Sequence, residues 1–263
     1  MPISETLVRD LCSRITSLPQ GEKPSNMDNG LAWLGGRIAE IQRRTSPAAQ
    51  LKGMACFAAD PPGSSPGSQE LRTWLEAVGP LQRLSAHCDV KWLVADVGLT
   101  EDFSNASFAP HVLPRLLKRI SPDPSAAVWD AVQEGIRLAC RMKGRGTDIF
   151  GAAFLTAFTL QPTDIQKAID LRAWPIATAA GFLLAAADLQ TPIVVSGAPI
   201  LSAIQLACAL VPAVADYVLL AQPADAPISL GFTPPLLTWT APDPLAVILG
   251  LDLCQSAAKL LGN

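Results

Sequence analysis

The sequence is short of the groups that proton transfer and metal binding use. It contains two histidines, His87 and His111, and no glutamate after Glu134. The second half therefore offers neither a histidine acid/base nor a glutamate base. The six cysteines (Cys12, Cys56, Cys88, Cys140, Cys208, Cys254) are scattered through apolar contexts and form no Cys-x-x-Cys pair. That pattern argues against a disulfide framework and against a zinc site, and leaves reduced thiols in a cytoplasmic protein. Cys140 and Cys208 read as core packing. Neither a metal nor a cofactor is implied.

Charge is also scarce. Charged residues make up 16% of the chain, the net charge is -3 and the isoelectric point is near 5.4. With no basic run and no basic–aromatic patch, nucleic acid is not an expected partner. Hydrophobic residues reach 49% and the mean hydropathy is +0.29, so a membrane has to be considered. The longest uncharged stretch, Leu189–Ala215, has spanning length. However, Pro192, Ser196, Gly197, Pro199 and Pro212 divide it into a strand, a turn and a helix. Residues 1–18 mix Glu5, Arg9, Asp10 and Arg14 into an amphipathic pattern, unlike a secretory leader. The expectation is a soluble protein with no membrane contact.

What is present is an alternation. Helical spacing covers Ser4–Leu18 and about Met27–Arg44, and a strand is predicted at Lys52–Asp60. The segment PPGSSPGS reads as surface loop, lacking the lysine and spacing of a phosphate loop. A helix is predicted over Gln69–Ala86, a strand over Val90–Gly98, and helices over His111–Ile120 and Ser125–Met142. Then come TDIFGAA as a strand, Pro162–Leu171 and Trp174–Leu189 as helices, PIVVSG as a strand, Ile200–Val211 as a helix and DYVLLAQ as a strand. Pro242–Leu261 closes the chain as a helix. This predicts an α/β fold, a doubly wound, mainly parallel sheet with helices on both faces. Residues 46–234 would form the Rossmann-like core domain, and 1–45 with 235–263 a small helical subdomain. The helix RAWPIATAAGFLLAAAD carries Ala and Gly at packing intervals, which points to close helix–helix or dimer contact.

Five stretches carry a family resemblance: TPIVVSGAPILSAIQLACALVPAVADYVLL, RGTDIFGAAFL, CFAAD, VADVG and KPSNMDNGLAWLGGRIAEIQ. Together they resemble the nicotinate-nucleotide:dimethylbenzimidazole phosphoribosyltransferases of cobalamin lower-ligand assembly, most specifically in the last hundred residues. The resemblance implies a catalytic Glu in a C-terminal Gly-Glu-Gly-Ser-Gly loop. Here the matching stretch is TAPDPLAV, with Pro244 at or near that Glu and Asp243 beside it. A second family Glu, just after the strand, falls on Phe154, with Leu155 kept after it. The phosphate-gripping Asn-Thr-Thr falls on Thr159, Leu160 and Gln161. The family's Asp-Gly turn becomes Ser196-Gly197, its Ser-His becomes Ala221-Gln222, and its Gly-Ala-Asn-Leu-Pro loop has no counterpart.

Several residues admit two readings. Asp243 is a displaced base, or a capping acid ahead of a helix. Asp148 points at a cleft, or is an ordinary edge or paired acid. Asp60 and Asp96, at strand ends, contact a ligand or cap the next turn. By the resemblance, Phe154, Leu155 and Phe158 would line the cleft that holds a flat base. Thr159, Ser196, Gly197 and Gln222 would supply its polar contacts.

The resulting expectation is a homologue that has lost the catalytic Glu and the phosphate motifs, and that binds a small planar base or a partner without catalysis. The alternative is an active phosphoribosyltransferase that makes an alpha-ribazole-type nucleotide with rearranged residues. A homodimer, or a heterodimer with a full-length relative, is expected, and light scattering would test it.

Overall fold

The computed structural model describes residues 3–19, 30–60, 66–76, 79–103, 111–117, 121–157, 160–222, 235–237 and 240–262. Its frame is one six-stranded sheet, every pair parallel, in the order β3-β2-β1-β4-β5-β6. The strands are β1 (Lys52–Ala58), β2 (Val90–Asp96), β3 (Val112–Leu113), β4 (Ile149–Phe154), β5 (Ile193–Val195) and β6 (Val218–Leu220). β1 is buried at all seven positions and β4 at all six, as expected for central strands covered on both faces. Side chains alternate between the faces. Ala55 and Phe57 enter one core, while Met54, Cys56 and Ala58 enter the other.

The first core lies under α5 (Pro124–Gly144), α7 (Trp174–Asp188) and α8 (Ala198–Leu210), with α1 (Ile3–Arg14) against α5 and α7. The second lies under α4 (Pro80–His87) and α9 (Asp243–Gly262). α2 (Gly30–Ile41) packs on α9, whereas α1 belongs to the opposite layer. The helix starts follow capping chemistry. Asp123 accepts the Ser125 and Ala126 N–H groups with Pro124 at the first helical position, and Asp164 accepts the Lys167 N–H to open α6 (Ile165–Asp170).

α7 is buried from Pro175 to Ala187 and crosses α5 at near backbone contact. A Cβ added at Gly181 would lie 1.9 Å from the Val132 carbonyl oxygen, and one at Gly135 would lie 1.9 Å from that of Thr178. The small residues of α7 therefore serve packing within the chain, and that packing closes this helix to an intermolecular contact. Among the described residues one helix, α9, is long and apolar enough to cross a membrane. It packs on β4, with 50% of its apolar window buried.

Four local expectations change. The helix expected over Gln69–Ala86 is two helices, α3 (Pro66–Glu76) and α4, because Pro80 starts a new helix after Gly79. α3 also begins inside the stretch read as loop. The segment 111–117 is not helical. It contains β3, whose pairing of Val112 with Val94 turns it into an edge strand. Cys140 is exposed, whereas Cys208 is buried as the apolar pattern implied.

Candidate functional site

The sheet order reverses direction between β1 and β4, so ligands of such folds meet the crevice beyond the carboxyl ends of these two strands. Here that crevice is stitched. The Thr156 hydroxyl accepts the Ala59 N–H at 3.1 Å and donates to the Ala59 carbonyl at 2.8 Å. Thr156 is only 3% exposed.

On the β1–β2 side both strand-end acids hold turns. Asp60 accepts the Ser68 N–H at 3.0 Å and the Ser68 hydroxyl at 3.2 Å, and also takes the Thr100 N–H. Burial pushes its carboxyl up, but the bonds from Thr100 and Ser68 outweigh that and hold it below its ordinary value. Asp96 accepts the Gly98 and Leu99 N–H groups, each at 3.0 Å, and pairs with the Arg115 guanidinium at 3.1 Å. Beside them opens a cavity of about 390 Å³ lined by Ser68, Gln69, Arg72, Thr100 and Glu101. Arg72 pairs with Glu101 there, and its guanidinium sits 5.3 Å from the Phe103 ring centre.

On the β5–β6 side the structure gathers Ser196, Gly197, Gln222 and Asp243. The Ser196 hydroxyl donates to Asp243 Oδ1 at 2.8 Å, and Gln222 Nε2 donates to the same oxygen at 2.9 Å and to Ser196 Oγ at 2.8 Å. Gln222 Oε1 accepts the Ala241 N–H at 2.8 Å. Gly197 has φ of 101°, and a Cβ there would fall 2.4 Å from Asp243 Oδ2, so only glycine fits beneath the carboxylate. Asp243 also sits in the first turn of α9, where the helix dipole favours an anion.

Other predicted residues go elsewhere. Phe154 and Leu155 are each 5% exposed and enter opposite cores, so they do not wall one open slot together. Phe154 packs against Phe57 with ring centres 5.5 Å apart. Asp148 precedes β4 and lies at the amino edge of the sheet, where Oδ2 accepts the Leu51 N–H at 3.1 Å. A six-residue strand of about 3.3 Å per residue puts it roughly 20 Å from the carboxyl edge, which removes it as a base there. Phe158 and Thr159 lie outside the described residues.

Sequence reasoning missed Glu70. From the first turns of α3 it reaches the turn after β4, where Oε2 accepts the Ala157 N–H at 2.8 Å. A signal for it exists, since a helix that follows a strand in a wound fold starts at the carboxyl edge. The lack of glutamate in the second half points away from it. Among the described residues no cluster of three or more His, Cys, Asp or Glu could hold a metal ion.

A family profile for phosphoribosyltransferases (DBI_PRT) matches residues 161–228, which include Ser196, Gly197 and Gln222. Over that segment the chain is similar to this phosphoribosyltransferase family. Two solved structures share its fold: CobT from Thermus thermophilus, and a nicotinate-nucleotide-dimethylbenzimidazole phosphoribosyltransferase from the same organism. Each superimposes with a TM-score of 0.70 at 17% identity, covering 99% of this chain and 96% of the other. No curated protein matches the chain.

Proposed function

We propose that this protein is a cytoplasmic, ligand-binding relative of the phosphoribosyltransferases that does not carry out the family's transfer of a base onto ribose phosphate. One observation carries the reading. Asp243, the carboxylate beside the position of the family's catalytic Glu, is engaged by Ser196 and Gln222 on one oxygen and lies against Gly197 with the other. Charge-assisted bonds of about 1.5–3 kcal/mol each hold that carboxylate between its donors and oppose its turning toward a substrate. The carboxylate acts as a clamp between α9 and the ends of β5 and β6. Among the described residues, room at the carboxyl edge remains in the Ser68–Glu101 cavity of about 390 Å³, which would take a small planar ring.

The test is an assay with nicotinate mononucleotide and dimethylbenzimidazole. No nicotinate should be released above background. Turnover abolished by Asp243→Asn would overturn the reading and make Asp243 the base. A second reading, an active transferase with rearranged residues, draws on Glu70, whose carboxylate stands at the turn after β4. Turnover lost in Glu70→Gln but kept in Asp243→Asn would establish that alternative.

A further inference from the structure

The amino edge of the sheet holds a polar arrangement that the candidate site does not use. Lys52 opens β1 with its side chain fully buried, its Nζ 2.7 Å from Gln255 Oε1 and 3.2 Å from Asp252 Oδ1. An ammonium only donates, so the Gln255 oxygen must face Lys52. The Gln255 NH₂ is therefore turned away from Lys52, and it has no acceptor among the described residues.

Gln255 lines a cavity of about 230 Å³ together with Ser46, Pro47, Ala49, Gln50, Ala258 and Lys259. Lys259 is exposed and has no ion-pair partner among the described residues. The nearby carboxylate, Asp252, is already engaged by Lys52. What the cavity presents is an amide with two free N–H donors and an unpaired ammonium, over a floor of Pro47, Ala49 and Ala258. Donors without acceptors select an acceptor, and the uncompensated positive charge selects an anion.

We infer that this cavity binds a small organic oxyanion, a carboxylate or phosphate whose oxygens meet Gln255 Nε2 and Lys259 Nζ while its carbon skeleton rests on the apolar floor. Lys52 is the positioning residue, since it fixes the amide that does the binding. The volume exceeds that of a bare inorganic ion, so the ligand carries a short skeleton. Because α9 also bears Asp243, the oxyanion site and the carboxyl-edge clamp stand about 18 Å apart on one helix. The proposal does not depend on whether the protein transfers a base.

The probes are inorganic phosphate and succinate, titrated by calorimetry into the full chain at ionic strength held constant with sodium chloride. The Gln255 side-chain amide is followed by NMR in the same titrations. At least one probe should bind once per chain and shift that amide resonance, and Lys259→Gln should weaken binding roughly tenfold or more. Binding of phosphate alone would assign a phosphate ligand, and binding of succinate alone a carboxylate. Lys259 lies exposed near the end of α9, so its replacement leaves the core intact, and Gln255→Glu gives a second, charge-reversed test that should abolish binding. The inference fails if neither probe moves the Gln255 resonance, if Lys259→Gln or Gln255→Glu binds as tightly as the parent, or if sodium chloride alone gives the same shift.

Discussion

The two halves of the carboxyl edge are built differently. On the β1–β2 side, Asp60 and Asp96 hold mainly the backbone of the turns that follow them, and a cavity of about 390 Å³ stays open beside them. On the β5–β6 side, Ser196, Gln222 and Asp243 bond to one another over separations of 21 to 47 residues, and Asp243 closes down on Gly197. Turn-capping acids give local order and leave room above them. A clamp made of side chains from distant segments closes the space instead, and it exists only when the whole sheet is assembled.

The largest effect should come from breaking the layer beneath both halves. In Gly181→Ala the new methyl would meet the Val132 carbonyl oxygen at 1.9 Å, and backbone on both sides leaves little room to yield. A loss of about 3 kcal/mol or more is expected in denaturant unfolding, or failure to fold. Unchanged stability would mean that the α5–α7 crossing is looser than described.

A smaller effect should separate the halves. Asp243→Ala leaves Ser196 and Gln222 without their shared acceptor and should cost about 1–3 kcal/mol. Hydrogen exchange should speed up at the Ala241 amide, held by Gln222, while Leu99 on the other side keeps its protection. Equal acceleration at both amides would remove the distinction between a clamp and a pair of local caps.

The smallest effect lies on the β1–β2 side and depends on pH. The Asp60 carboxyl is held below its ordinary value, so its stabilisation is present above the unfolded value near 3.8 and is lost as pH falls through the lower folded value. Asp60→Asn should therefore lower the melting temperature at neutral pH, with the difference from the parent closing in strong acid. A difference that persists unchanged into acid would show that the Asp60 charge has no part in holding Ser68 and Thr100.

How much of this was legible in the sequence varies from one residue to the next. The apolar run MACFA, bounded by Lys52 and Asp60, gave a buried strand, and the punctuation of Leu189–Ala215 gave β5, the Gly197 turn and α8. Asp148 was read inside the strand TDIFGAA, and only the structure starts that strand at Ile149 and leaves the acid at the amino edge. β3 was not legible, because two residues carry no period and Val112 becomes a strand only by pairing with β2. The family resemblance put Ser196, Gly197 and Gln222 at one cleft and left Asp243 as a displaced base or a capping acid, and the structure sets Asp243 against the other three.

The sequence by itself determined most of the elements and their order, β3 and the α3–α4 break excepted, because strand runs, caps and proline breaks act between neighbours a few residues apart. It determined equally that no glutamate follows Glu134. Only the tertiary structure decided what meets what. It brought Glu70 to Ala157 across 87 residues, sent Phe154 and Leu155 into opposite cores, and set Lys52 against Gln255 across 203. Such contacts depend on strand order, register and helix crossing, and none of these is written in the local spacing of either partner.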